Sequence, residues 1–156
     1  MAKLGTFVAG QVLTAAELNA MGGAWTSYTP TWTGITTGDG TNSGGYVQFG
    51  RTTFWRARFT LGTTSAITGA ITVTLPASGG ALRDSTEVGI YTVKILDSGT
   101  QWFDGRIQAS STTVVGVEVL NSAGTYVGGS ALSSTVPMTW TTSDAIVIAG
   151  AYEAAS

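Results

Sequence analysis

The sequence predicts an all-β chain: a jelly-roll-like antiparallel β-sandwich preceded by a short N-terminal arm with one small helix. Three observations lead there. From Trp25 onward, short runs rich in threonine, valine and aromatics recur at regular spacing, separated by Gly-, Ser- or Asp-containing turns. No helical stretch separates those runs, which excludes a parallel α/β layout. The first two dozen residues follow a different pattern, so the chain divides into an arm at 1–24 and a β-sandwich domain at 25–156.

In the arm, Thr14 can cap a helix, and Glu17 three residues later completes a capping box. Leu13 and Leu18 stand where a hydrophobic staple needs them. Gly22 and Gly23 supply the stop. The helix spans Thr14 to about Met21, roughly two turns, too short to be stable alone in water. It needs a surface to dock on, and Leu4, Phe7, Val8, Val12, Leu13 and Leu18 are the candidate anchoring residues.

In the β domain, Trp25 to Trp32 has strand composition, with Pro30 restricting it to an edge or a boundary. Thr36 to Gly45 is Gly/Thr/Asn/Asp-rich and is expected to be a loop or wide turn. Tyr46–Phe49 and Thr52–Leu61 form a hairpin about Gly50-Arg51. Alternation puts Trp55, Ala57, Phe59 and Leu61 on the core face of the second strand, and Phe54, Arg56, Arg58 and Thr60 on the other. Ile71–Leu75 alternates strictly and ends at Pro76. Glu87–Asp97 places Tyr91, Val93 and Ile95 on one face. Trp102–Ala109, Thr113–Leu120, Val136–Trp140 and Ala145–Tyr152 complete the expected strands.

Composition narrows the chemistry. The chain has no cysteine and no histidine. Disulfides, thiolate metal sites and histidine-based triads are therefore excluded. A serine would have no histidine base, and no Gly-x-Ser-x-Gly turn occurs. Only 10% of the 156 residues are charged and the net charge is −2, so the basic footprint of a nucleic-acid binder is absent. Five tryptophans and 43% hydrophobic residues argue against disorder, and no apolar run is long enough for a membrane helix. A surface this poor in charge is weakly protected against association, which points to a chain packed against copies of itself or within a larger assembly.

Three segments carry a resemblance. Phe7-Val8-Ala9-Gly10-Gln11-Val12-Leu13-Thr14-Ala15-Ala16-Glu17-Leu18-Asn19 resembles a leader found at the start of small virion proteins of tailed bacteriophages. Trp25-Thr26-Ser27-Tyr28-Thr29-Pro30-Thr31-Trp32-Thr33-Gly34 is similar to a "YTPTWT" segment that opens β-rich modules in phage tail and head-accessory proteins. Gly45 to Thr52, Leu61-Gly62 and Ile71 to Pro76 look like the continuation of that module. The resemblance covers roughly the first half of the chain. It implies a virion structural protein assembled in the host bacterial cytoplasm, often trimeric. Its expected partners are copies of itself and other virion proteins, the major capsid protein or tail proteins. A capsid decoration or head-fibre protein held by its arm is the first expectation. A minor tail or fibre-tip protein that binds host surface glycan is the alternative.

The remaining candidates are few. Trp25, Tyr28 and Trp32 are the candidate glycan contacts, since aromatic faces stack on sugar rings; interfaces favour the same residues. Phe54, Arg56 and Arg58 are the candidate subunit interface, with Glu118 and Asp144 as acids that could pair with the arginines. Asp97 and Asp104 flank an expected turn and are the one carboxylate pair worth testing for glycosidase chemistry; solvation of the turn is the favoured reading, because hairpin ends are where Asp belongs. Thr37 to Asn42 hints at a calcium loop without an EF-hand's acidic density. No cofactor, metal, nucleic acid or membrane is expected, and no enzymatic activity.

Overall fold

The computed structural model describes residues 10, 12, 14–16, 23–86, 89–122 and 125–155. Among them the strands are β1 (Thr26–Tyr28), β2 (Trp32–Thr36), β3 (Thr41–Phe49), β4 (Thr52–Thr60), β5 (Ala66–Thr74), β6 (Ile90–Asp97), β7 (Gln101–Ala109), β8 (Val114–Asn121), β9 (Gly128–Ala131) and β10 (Ala145–Glu153), with a 3-10 turn at Ala77–Gly79. All pairings are antiparallel. The hydrogen-bonded order is β1-β3-β4-β10-β6-β7-β8-β5-β2, and β9 lies on β8 beside β5.

This order has a geometric consequence. β1 and β2 are the two ends of the path, yet only Thr29, Pro30 and Thr31 join them. Fully extended, that link reaches about 14 Å, whereas the edges of a flat nine-strand path would stand roughly 38 Å apart. The sheet therefore curls until its ends adjoin. Polar groups join them. On the β2 side Thr31 and Thr74 extend the β2–β5 ladder, Thr31 N donating to Thr74 Oγ1 and Thr74 N to Thr31 O, each at 3.0 Å, and the bonds that cross to the other end are those of Asn42 on β3. Trp32 Nε1 donates to Asn42 Oδ1 at 2.9 Å, and Asn42 Nδ2 donates to Pro30 O at 2.6 Å.

Curling gives one core from the inner faces of strands far apart in order: Trp55, Ala57 and Phe59 of β4, Ile71 and Val73 of β5, Val93 and Ile95 of β6, Val115 and Val117 of β8, Ile146 and Ile148 of β10. Trp32 of β2 meets Phe59 of β4 edge-on across this core, ring centroids 6.1 Å apart. The expected alternations of β4, β5 and β6 are the observed ones.

Four local expectations differ. Trp25–Trp32 is split into β1 and β2 by Pro30. The expected loop ends early, because Thr41–Gly45 already belongs to β3. Its glycines suit a strand here because neighbours lie over them: a Cβ at Gly44 would stand 2.6 Å from the Tyr28 ring. β5 begins at Ala66 rather than near Ile71. Val136–Trp140 is not a strand. Pro137 has no N–H for a ladder, and the segment is held by an isolated Ser133/Val136 bridge and by Trp140 Nε1 donating to Ser133 O at 2.8 Å. Of the expected helix, Ala15 and Ala16 have helical backbone; Glu17 to Met21 lie outside the described residues.

Asn42 joins the two ends of the path through a donor and an acceptor at once. Replacing Asn42 with Ala strands Trp32 Nε1 and Pro30 O, a loss of about 2 kcal/mol. The expected result is a melting temperature lower by roughly 4–8 °C, measurable by calorimetry.

Candidate functional site

Register settles what the outer face of the curled sheet presents. Side chains two apart share a face, and cross-strand partners line up in rows. One row runs Val47, Phe54, Ala151, Ile90. The next runs Ser27, Gly45, Arg56, Ala149, Thr92. A third runs Ser43, Arg58, Val147, Lys94, Asp104. An apolar row therefore lies beside two basic ones.

The apolar row is a groove of about 670 Å³, lined chiefly by Trp25, Val47, Phe49, Phe54, Ile90 and Ala151. Ile90 is 86% exposed, Trp25 51%, Phe54 44% and Phe49 40%. Small residues on β10 make the groove, because Ala149 and Ala151 leave space between the rings of β3 and β4 and the Ile90 side chain. Phe49 and Phe54 meet edge-on at 6.2 Å. The chain arrives at this groove from its N-terminal side. Gly23 (φ 53) lies against Val47 and Phe49 too closely for any side chain, and so Val47, although on the outer face, is buried.

The two arginines have different supports. The Arg56 guanidinium stands over the Trp25 ring, 4.9 Å from its centroid, a cation–π contact. Bare Gly45 beneath lets the ring approach: a Cβ there would be 3.3 Å from Trp25 and 3.5 Å from Arg56 Nε. Arg58 Nε donates to Thr60 Oγ1 at 3.1 Å. The acids expected to serve them are committed elsewhere in the same chain. Glu118 accepts from Arg106 Nε at 2.6 Å. Asp144 is fully buried, accepting from Thr141 N at 2.6 Å and Ser98 N at 2.9 Å. It ties the β6–β7 turn to the entry of β10, a structural task that leaves it no access to a partner.

The three aromatic glycan candidates are not one platform. Trp25 belongs to the outer groove. Trp32 is half-buried in the core seam, its Nε1 held by Asn42. Tyr28 points inward, edge-on to Tyr46 at 6.2 Å, and burial pushes its hydroxyl well above the usual tyrosine range. Tyr28 lines a separate cleft of about 610 Å³ between the β1–β2 link and the 3-10 turn. Thr26, Ser27, Thr74, Ser78 and Thr113 contribute to its walls, and no charged residue does.

Asp97 and Asp104 do not face each other. Asp97 pairs with Gln101 and Asp104 with Lys94, three residues out of step and on opposite faces. Asp104 is ion-paired to Lys94. Asp39, in the loop that hinted at calcium, spends its oxygens on the β4–β5 loop: it accepts from Thr63 Oγ1 at 2.6 Å, and from Thr64 N and Thr64 Oγ1, each at 2.8 Å. Among the described residues no group of three acids could hold a metal. Of the anchoring candidates only Val12 is described, and it is 84% exposed; Leu4, Phe7, Val8, Leu13 and Leu18 lie outside the described residues.

Phe49, Ile90 and the β10 alanines entered the groove without being expected. Their alternation is visible in sequence, but that β10 inserts between β4 and β6 is not.

The Thr63 hydroxyl and then the Thr64 amide and hydroxyl hold the Asp39 carboxyl well below its usual range. A depressed carboxyl adds stability above its unfolded value, near pH 4, and loses it as pH falls toward the folded value. The Asp39→Asn variant is therefore expected to melt below wild type at neutral pH, with the gap closing below about pH 4. A gap that stays constant on acidification would contradict the clamp.

Comparison of the chain with protein-family models, with curated proteins and with solved structures finds no match in any of the three.

Proposed function

We propose that the chain is a non-enzymatic structural protein of a tailed-bacteriophage particle. On this reading it is a capsid decoration or head-fibre protein held through residues 1–24, and it self-associates, as a trimer, through the outer face of β4. One observation carries the assembly part: four large apolar side chains, Trp25, Phe49, Phe54 and Ile90, share one exposed groove at the point where the N-terminal segment joins the β domain. A contiguous exposed apolar patch of this kind marks an interaction surface. The surrounding chemistry suits packing rather than turnover. Among the described residues the acids other than Asp97 are tied into ion pairs, turns or loop clamps, and the sequence has neither histidine nor cysteine. The resemblance of the leader and of the Tyr28–Thr33 segment to phage virion modules supplies the particle.

A second reading has its own observation. The uncharged cleft under Tyr28, walled by hydroxyls and two tyrosine rings, is of a size and polarity for a neutral sugar. That would suit a minor tail or fibre-tip protein bound to host surface glycan.

Three measurements decide. Gold-labelled antibody on purified particles is expected to mark the head; label confined to the tail tip favours the second reading, and no label on particles overturns both. Light scattering is expected to show a trimer at micromolar concentration, and Phe54→Glu is expected to shift it to monomer. A wild-type monomer would remove the self-association argument. Deleting residues 1–24 is expected to abolish particle attachment while the β domain still melts cooperatively; attachment that survives the deletion refutes the anchor.

A further inference from the structure

Six cationic side chains lie among the described residues, and their pairing is uneven. Arg51 and Arg83 share Glu153, each at 3.3 Å. Lys94 is paired with Asp104, and Arg106 with Glu118. Arg56 and Arg58 have no acidic partner among the described residues. These two are neighbours on one face of β4, roughly 7 Å apart along the strand.

They also flank a recess. Ser27 and Ser43 stand on its β1 and β3 side, and Val147 and Ala149 on its β10 side, around a volume of about 440 Å³. Short side chains on both flanking strands clear the space. The guanidinium groups are braced from outside the recess, Arg56 by the Trp25 ring and Arg58 by Thr60 Oγ1 through Nε alone. A single Nε–H is used by Arg58 and a ring face by Arg56, so the terminal N–H groups of both remain free to donate. The recess thus offers two fixed guanidinium groups and two hydroxyls, with no carboxylate in its lining.

We propose that this recess is an oxyanion site: a carboxylate or phosphate group seats between Arg56 and Arg58, taking charge-assisted N–H donation from both and hydroxyl donation from Ser27 and Ser43. Planar guanidinium forks match such groups in geometry as well as charge. Bracing lowers the entropy lost on binding. The aromatic face of Trp25 borders the site, so the group that carries the anion meets an apolar wall beside it. The inference rests on the geometry of β4 and its neighbours and does not require the virion reading.

The test uses the intact protein with inorganic phosphate, and separately acetate, titrated against chloride at constant ionic strength. Arginine Nε–Hε signals are followed by 15N NMR. Arg56 and Arg58 signals are expected to shift saturably, while those of Arg51, Arg83 and Arg106, already ion-paired, stay in place. Arg56→Gln and Arg58→Gln are each expected to weaken the apparent affinity by about tenfold. Light scattering on the same samples separates the sources: oligomers that dissociate as phosphate saturates the site show that a carboxylate of a second copy normally fills it, and an unchanged oligomeric state shows that the anion comes from outside the assembly. Equal shifts at all five arginines, or shifts that never saturate, overturn the proposal.

Discussion

Everything in this fold depends on a three-residue link. Thr29, Pro30 and Thr31 connect strands that end the hydrogen-bonded path at opposite edges, so a flat sheet is not available to this chain. Curling follows, and with it the single shared core, in which β2 meets β4 through Trp32 and Phe59. Pro30 suits the position because it leaves no amide to satisfy and biases Thr29 toward extended backbone. The exposed edges that a nine-strand path would otherwise leave are brought together and held by Asn42 against Trp32 and Pro30, which limits strand addition by other chains.

Polar side chains then do what the hydrophobic core cannot, which is to place the loops. Asp39 ties the β2–β3 loop to the β4–β5 loop. Asp144 gathers the β6–β7 turn and the Thr141 segment at the start of β10. Thr53, fully buried, donates to Gly79 O at 2.6 Å and holds the 3-10 turn against β4. Each uses a buried or loop-facing oxygen to satisfy backbone donors or acceptors that would otherwise go unpaired. Among the described residues, every acid but Asp97 is thereby committed inside the chain, and the cations left without an acidic partner are Arg56 and Arg58 of β4.

The outer face inherits its character from that division. Inner positions of β4 and β10 fill the core; outer positions carry Phe54 and two arginines on β4 opposite alanines and a valine on β10. Large beside small makes relief on what would otherwise be a smooth sheet surface, giving both the apolar groove at Phe54 and the recess at Arg58. The cation–π contact of Arg56 with Trp25 lies between the two and couples the arriving N-terminal segment to the basic rows.

Sequence alone determined the all-β class, the hairpin at Gly50-Arg51 and the inward faces of β4, β5 and β6. Those depend on local alternation and turn chemistry, which a single strand carries by itself. It also identified Phe54, Arg56 and Arg58 as one outward set. Only the tertiary structure decided who stands beside them. That β10 enters between β4 and β6, that Gly44 and Gly45 are strand rather than loop, and that Trp25, Tyr28 and Trp32 go to three different places are all consequences of pairing between residues distant in sequence. Strand pairing is set by the fit of whole faces around one core, and no local window holds that information. The same reason parted Asp97 from Asp104. Their proximity in sequence suggested a facing pair, and a register that puts Asp97 against Gln101 placed them on opposite faces.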